Sequence, residues 1–275
     1  MLGRSWRPRL PRAPKIGAGF DGKIDGMHEH TVALVTGANK GIGLQIAKAL
    51  AARGVTVLIG ARNLDLGTAA ARSVPRAGAV QLDVTDAASI TRAAARIESE
   101  LGRLDILVNN AAIARTPGPA RTLEESVASA APSVAKLDDV RAIFETNVFG
   151  VIAVTQAMLP LLRRAPAGRI VNVSSGGGSL TAMSDRGNPY RRMMGVTYGP
   201  SKTALNAITL AFAAELETTT IKVNAADPGY TATDLNDFRG VRTVEQAARE
   251  PVRLALLGDD GPTGSFSNED GPLPW

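Results

Sequence analysis

Tyr198 and Lys202 stand four residues apart in Tyr198-Gly199-Pro200-Ser201-Lys202, so on a helix they share one face. A free phenol titrates near ~10, too high for proton exchange at neutral pH. An ammonium beside it favours phenolate and lowers that value. Such a pair can hand a proton to an oxygen that gains electrons. Tyr-x-x-x-Lys alone arises often by chance, and its weight comes from its company. Ser174-Ser175 closes the apolar run Arg169–Val173, where a hydroxyl can steady a developing alkoxide. Asn147 is a polar amide inside an otherwise apolar helical pattern, as suited to a satisfied core group as to a functional one.

A second constellation lies at the other end of the chain. Gly37-Ala38-Asn39-Lys40-Gly41-Ile42-Gly43 follows the first β-type run and opens the first helical pattern. Glycines at 37, 41 and 43 allow a sharp turn and close approach of backbone to a pyrophosphate, which then sits on the helix N-terminus. The spacing is GxxxGxG, and no Lys-Ser or Lys-Thr follows the last glycine, which excludes a phosphate-loop NTPase site. At the end of the second strand an acid would accept hydrogen bonds from a free ribose diol and repel a 2′-phosphate. The run Leu58-Ile59-Gly60-Ala61-Arg62-Asn63 has no acid there. Arg62 can fork onto a phosphate, and Lys40 can approach the same group, so the pair favours NADP(H). Asp83, in Leu82-Asp83-Val84, is placed to accept a bond from the adenine amine. Asn109-Asn110-Ala111 forms a small polar turn beside the cofactor.

These residues must be held by an alternation of short apolar runs and helical patterns. Strands are expected at Thr31–Thr36, Val55–Ile59, Ala79–Leu82, Asp105–Val108, Arg169–Val173, Ile221–Ala226 and near Gly264–Ser267. Helices are expected at Ile42–Arg53, Leu64–Ser73, Ala87–Leu101, Leu137–Leu162, Tyr198–Glu217 and Val244–Leu257. This order implies right-handed crossovers and an α/β, Rossmann-type, doubly wound parallel sheet of seven strands with helices on both faces. Arg115–Lys136 and Gly176–Thr197 read as surface excursions on the carboxyl edge of that sheet, where such folds bind ligands. One domain over 31–275 follows, with no internal linker or repeat.

Composition closes off other chemistries. The 275 residues contain no cysteine, so disulfides, thiolate catalysis and cysteine-based zinc are excluded. The two histidines, His28 and His30, precede the first strand, which leaves no histidine triad and no expected metal site. Residues 1–26 carry four of the five net positive charges, through Arg4, Arg7, Arg9, Arg12, Lys15 and Lys23 against Asp21 and Asp25. Residues 1–30 are therefore expected to form a disordered basic arm, and the remainder lacks the basic face of a nucleic-acid-binding domain. That arm has no apolar run of signal-peptide length, which places the expected location in the cytoplasm. Met27 leaves open an upstream start, and a tether to nucleic acid or membrane is the alternative use of the arm.

Taken in order, the glycine turn 36–43, Asn109-Asn110-Ala111, Asn147, Ser174-Ser175, Tyr198/Lys202 and Asp227-Pro228-Gly229-Tyr230-Thr231-Ala232-Thr233 resemble the short-chain dehydrogenase/reductase family. The resemblance covers Thr31 to the C-terminus and implies a carbonyl or alcohol as small-molecule substrate. It implies Tyr198 as general acid/base, Ser175 orienting the carbonyl, Lys202 on the nicotinamide ribose and Asn147 holding a relay water. It further implies cofactor contacts from Gly37, Asn39, Lys40, Gly41, Ile42, Gly43, Arg62, Asp83, Val84, Asn110, Ala111, Tyr198, Lys202, Pro228, Gly229, Thr231 and Thr233. The chain looks most like the carbonyl-reductase branch, where Lys40 and Arg62 go with NADPH. Ala112 replaces the usual glycine after Asn-Asn-Ala. The stretch from Ser175 to Tyr198 has an intermediate length that leaves monomer and homo-oligomer both open. The rival reading is a non-catalytic NADP(H)-binding regulator. Ile113, Leu180, Met183, Tyr190, Met193 and Met194 are candidate pocket wall, in keeping with an aldehyde, ketone or quinone.

Overall fold

A computed structural model describes residues 31–116 and 122–275, so the arm expected over 1–30 lies outside the described residues. Seven strands run parallel: β1 (Val32–Thr36), β2 (Thr56–Ala61), β3 (Ala77–Gln81), β4 (Ile106–Asn109), β5 (Arg169–Val173), β6 (Lys222–Ala226) and β7 (Phe266–Asn268). An eighth, β8 (Gly271–Pro272), folds back antiparallel on β7, giving the order β3-β2-β1-β4-β5-β6-β7-β8. Two residues are too few to show periodicity, which is why the pattern predicts seven strands and not eight. Strand order reverses between β1 and β4, and the crevice this leaves at the carboxyl edge is where doubly wound sheets bind ligands.

The central strands are buried on both faces, so their sequences are continuous apolar runs. Alternate side chains still choose sides. Ala33, Val35, Val57, Ile59 and Val108 pack with α1 (Gly41–Ala51), α2 (Leu64–Ala71) and α9 (Val244–Ala255). Val32, Leu34, Leu58, Leu107, Ile170 and Val223 pack with α3 (Ala87–Leu101), α6 (Gly150–Leu162) and α8 (Tyr198–Glu215). Each fully buried Leu or Ile on these faces stabilises by about 1.5–3 kcal/mol over exposure.

Local signals set the helix ends. Asp86 accepts the Ala88 N–H at 2.9 Å and starts α3, while Gly102, at φ +74°, ends it; both boundaries match the sequence pattern. The helix expected over Leu137–Leu162 has those ends, and its register changes inside. It runs as α5 (Leu137–Phe144), a π-helical turn (Glu145–Phe149) and α6. Such a turn inserts one residue into the helical register and recurs at functional sites. Gly150 follows it because a side chain there would meet the Val84 carbonyl at 2.8 Å.

Both excursions carry helical elements among their described residues. The first carries α4 (Leu123–Ser129), begun by a Thr122/Glu125 capping box. The second carries 3-10 turns at Gly176–Gly178 and Pro189–Met193 around α7 (Leu180–Ser184). They meet where the Val196 N–H donates to Ala130 O at 2.9 Å, so they form one wall beside the crevice.

Candidate active site

The glycine turn between β1 and α1 is shaped by space as much as by dihedral angle. Gly37 and Gly41 lie at φ +64° and +58°, a region open to glycine. Gly43 has no room for a side chain, since a Cβ would sit 2.4 Å from Asn110 Nδ2 and 2.8 Å from Gly37 O. Asn110 itself braces the turn, donating to Thr36 O at 2.9 Å and Gly37 O at 3.3 Å. Thr36 Oγ1 accepts from the backbone N–H of Asn110 and of Ala111, both at 3.0 Å. Lys40 occupies the cap position of α1 without a side-chain cap bond, and no acid lies in the first turn. That helix end is an uncapped cluster of N–H donors suited to a diphosphate.

Arg62 is exposed at the end of β2. Lys40 Nζ pairs instead with Asp234 Oδ2 at 3.2 Å, a contact absent from the sequence reading. Asp83 Oδ1 accepts from Thr85 N and Oγ1 at 3.0 and 2.7 Å, and among the described residues Oδ2 has no hydrogen-bond donor. Asn109 turns away into the core, bonding Thr155 Oγ1 at 3.1 Å and Asn172 Oδ1 at 2.9 Å. Beyond β6, Gly229 has φ +72°, and a Cβ there would lie 2.5 Å from Arg242 Cδ. Thr231 Oγ1 bonds the carbonyls of Pro228 and Gly229, and Thr233 stands across from Gly41.

The second constellation assembles at the ends of β5 and β6. Ser174 Oγ donates to Asn206 Oδ1 at 2.5 Å and is committed to α8. Ser175 accepts the Gly177 N–H at 3.2 Å, and its side chain favours the Tyr198 phenolate. Lys202 is 3% exposed; its Nζ donates to Val173 O at 2.8 Å and lies 5.6 Å from the Tyr198 ring centroid. Asn147, fully buried in the π-helical turn, accepts from Ile113 N–H at 2.9 Å and donates to Ile113 O at 2.9 Å and Ser201 Oγ at 3.0 Å. Ser201 Oγ donates to Tyr198 O at 2.6 Å. The amide therefore clamps the β4 exit loop to the first turn of α8, and both its N–H donors are used.

The electrostatics differ from the simple expectation that the lysine lowers the tyrosine. Burial pushes Tyr198 up to about 12; the Asp227 carboxylate adds to this, and the Ser175 side chain opposes it. Burial alone brings Lys202 down to about 7, so its ammonium is only partly populated at neutral pH. The sequence reading missed Asp227 and Ser201 as site residues, although both stand inside quoted motifs. An acid directly before Pro-Gly at a strand's carboxyl end was the available signal for Asp227.

Around this centre, Leu180, Tyr190, Met193 and Met194 expose apolar surface, and Tyr190 lies 6.5 Å from Tyr230, ring to ring. Met183 is buried and belongs to the interior, contrary to its candidate place in the wall. The segment after Thr233 closes on Arg115, which forks onto Asp237 at 2.8 and 2.5 Å. Asp237 and Phe238 both sit in the left-handed region, at φ +54° and +60°.

A parallel sheet with a glycine-lined, uncapped helix end opposite a Tyr-Lys-Ser cluster defines a dinucleotide-dependent oxidoreductase. The family model described as short chain dehydrogenase matches residues 31–241, and the chain belongs to that family, whose members bind a nicotinamide cofactor. It is 33% identical over 306 residues to (-)-isopiperitenone reductase of Mentha piperita, covering 88% of this chain and 97% of that one. Salutaridine reductase from Papaver somniferum superposes with a TM-score of 0.71 at 30% identity, covering 86% and 99%. The NADPH-bound carbonyl reductase from chicken fatty liver gives 0.73 at 28% identity, covering 90% and 100%.

Proposed function

We propose that this oxidoreductase is an NADPH-dependent carbonyl reductase in which Tyr198 is the proton donor. The observation that carries the reading is the cluster of Tyr198 and Ser175 with buried Lys202, whose Nζ lies 5.6 Å from the Tyr198 ring centroid, on the same sheet edge as the uncapped N-terminus of α1. The cradle suits a dinucleotide: Gly37 and Gly43 let the turn close onto Ala111 and Asn110, and the first turn of α1 offers N–H donors to a diphosphate. Arg62 would hold the 2′-phosphate, with Lys40 nearby, and the absence of an acid at the end of β2 supports NADPH over NADH. Asp83 and Val84 would flank the adenine. Asn39, Ile42, Asn110, Ala111, Pro228, Gly229, Thr231 and Thr233 would line the remaining length.

When bound, the reduced nicotinamide supplies the hydride that reaches the carbonyl carbon. Ser175 and Tyr198 hydrogen-bond the carbonyl oxygen and orient it. Tyr198 gives its proton to that oxygen as negative charge develops, so an alcohol leaves and a phenolate remains. Lys202, held by Val173 O, would bind the ribose hydroxyls and steady the phenolate until solvent returns a proton. The Asn147 side chain keeps Tyr198 in place through Ser201, and a relay water would use the amide oxygen's second lone pair or the Asn147 backbone carbonyl. The exposed Met and Tyr wall suits an apolar ketone, in line with relatives named for a terpenoid and an alkaloid.

Loss of reduced-nicotinamide absorbance against a panel of aldehydes, ketones and quinones tests the reading, with NADH and Tyr198→Phe as controls. Turnover with NADPH that disappears in the variant supports it. Tight NADPH binding without turnover on any compound overturns it in favour of a non-catalytic regulator.

A further inference from the structure

The wall of exposed apolar side chains beside the crevice is tied to the far edge of the sheet. β7 adds to β6 through Ala225 and Phe266, and the ladder continues past β8, where the Leu273 N–H donates to Phe266 O at 2.8 Å. Two residues on, the Trp275 ring stacks on the buried Phe266 ring, with centroids 5.5 Å apart and planes at 25°. Trp275 O then accepts the Thr181 N–H at 3.0 Å and the Ser179 hydroxyl at 3.3 Å. Both donors stand at the start of α7, where buried Ser179 is the cap and accepts the Ala182 N–H at 3.0 Å. From α7 the tie passes to the turn Pro189–Met193: Asn188 Nδ2 donates to Ala182 O, and Arg191 Nη1 to Ser184 O, each at 2.9 Å. That turn carries Tyr190, whose ring meets Tyr230 in the loop after β6.

The turn next to Ser175 has a separate support. Gly178 O accepts from Thr203 Oγ1 of α8 at 2.9 Å, and a Cβ on Gly178 would lie 2.8 Å from the Lys202 carbonyl carbon. α8 thus braces the reaction centre, while Trp275 ties the next element, α7, to β7. We propose that Trp275 is a positioning residue for the substrate: by holding α7 it fixes where Tyr190, Met193 and Met194 stand, and so sets the size of apolar carbonyl compound the site accepts. The glycine turn is braced by Thr36 and Asn110 and the proton donor lies on α8, so the effect falls on substrate affinity and not on cofactor or proton transfer. The inference rests on the reading that this wall faces a carbonyl substrate.

Trp275→Ala removes the ring that seats on Phe266, and Trp275→Phe keeps one; Ser179→Ala deletes one of the two donors and repeats the test from the other side of the tie. Losing one aromatic pair should raise the population in which the wall swings away by roughly 2- to 12-fold. Proteolysis follows that population, so trypsin should cut after the exposed Arg186, Arg191 and Arg192 faster by this factor, with cuts after Arg72 and Arg163 unchanged. KM for a bulky cyclic ketone should rise by up to the same factor, while kcat, KM for a short aldehyde and NADPH affinity stay as they were. Trp275→Phe should return each value to that of the parent chain. Faster cutting at every site alike marks general loosening and overturns the proposal, as does unchanged cutting in Trp275→Ala. Selective cutting with no change in KM for the bulky ketone also overturns it. The cleavage assay needs no substrate, so selective cutting in a chain that turns over no carbonyl defeats the proposed function and leaves the anchor standing.

Discussion

Between β1 and α1 the site is made of backbone: Gly37, Gly41 and Gly43 leave out side chains so that N–H groups can reach a ligand. Between β5 and α8 it is made of side chains: Lys202 is tied to Val173 O and lies near the Tyr198 ring, and Asn147 reaches the same helix turn through Ser201. At Gly37 and Gly43 the first half has no room for a Cβ, and its sensitivity is steric. The second has charge withdrawn from water, and its sensitivity is to pH and to loss of a single polar atom. Ligand-holding and proton-handling are thus separated on one sheet edge, and each half fails in its own way.

The contrast can be broken most forcefully at Tyr198. Tyr198→Phe should lower kcat by ~10²- to 10⁴-fold while NADPH affinity, read by fluorescence titration, stays within a few-fold. In the other half, Gly43→Ala should do the reverse. A Cβ 2.4 Å from Asn110 Nδ2 forces the turn apart, at an overpacking cost of about 1–3 kcal/mol. NADPH affinity should weaken by roughly 5- to 150-fold, with kcat at saturation largely kept. Arg62→Asp should shift preference from NADPH towards NADH by about 10- to 100-fold in kcat/KM, the worth of a charge-assisted phosphate contact.

A smaller effect sharpens the comparison through stability. Lys202 is lowered by burial to about 7, whereas an unfolded lysine stays protonated to about 10.4. In that window the unfolded chain binds the extra proton, so this group makes stability rise with pH, on the order of 1 kcal/mol per unit. Lys202→Met should flatten the rise in denaturant midpoint between pH 7 and pH 9, taken as roughly the span below other alkaline titrations. The smallest effect belongs to the segment after Thr233. Arg115→Ala removes an exposed ion pair with Asp237 and should leave the melting temperature nearly unchanged, and a marked drop would show that this pair holds the segment in place.

Much of this was legible beforehand because the signals are local. Asp86 and Gly102 mark both ends of α3, and the apolar run Arg169–Val173 matches β5 residue for residue. The candidate residues converge because each lies at the carboxyl end of a strand or in the first turn after it. Less legible were features made by partners distant in sequence. The π-helical turn at Asn147 accompanies its bonds to Ile113 and Ser201, and no pattern within 137–162 announces it. Met183 has the composition of a pocket wall yet lies in the interior, because α7 turns that face inward. Ser174 and Ser175 are equivalent in composition; the family resemblance picks Ser175, and the bond of Ser174 to Asn206 is the structural difference between them.

By itself the sequence determined the α/β alternation, the glycine turn and the set of polar residues at the strand ends, since those depend on side-chain period and backbone freedom over a few residues. Tertiary structure alone decided the protonation landscape. Tyr198 is raised and Lys202 lowered because the fold removes both from water, and Asp227 acts on Tyr198 because β6 lies next to β5. Desolvation and through-space charge depend on what surrounds a group in three dimensions, and spacing along the chain carries no record of either.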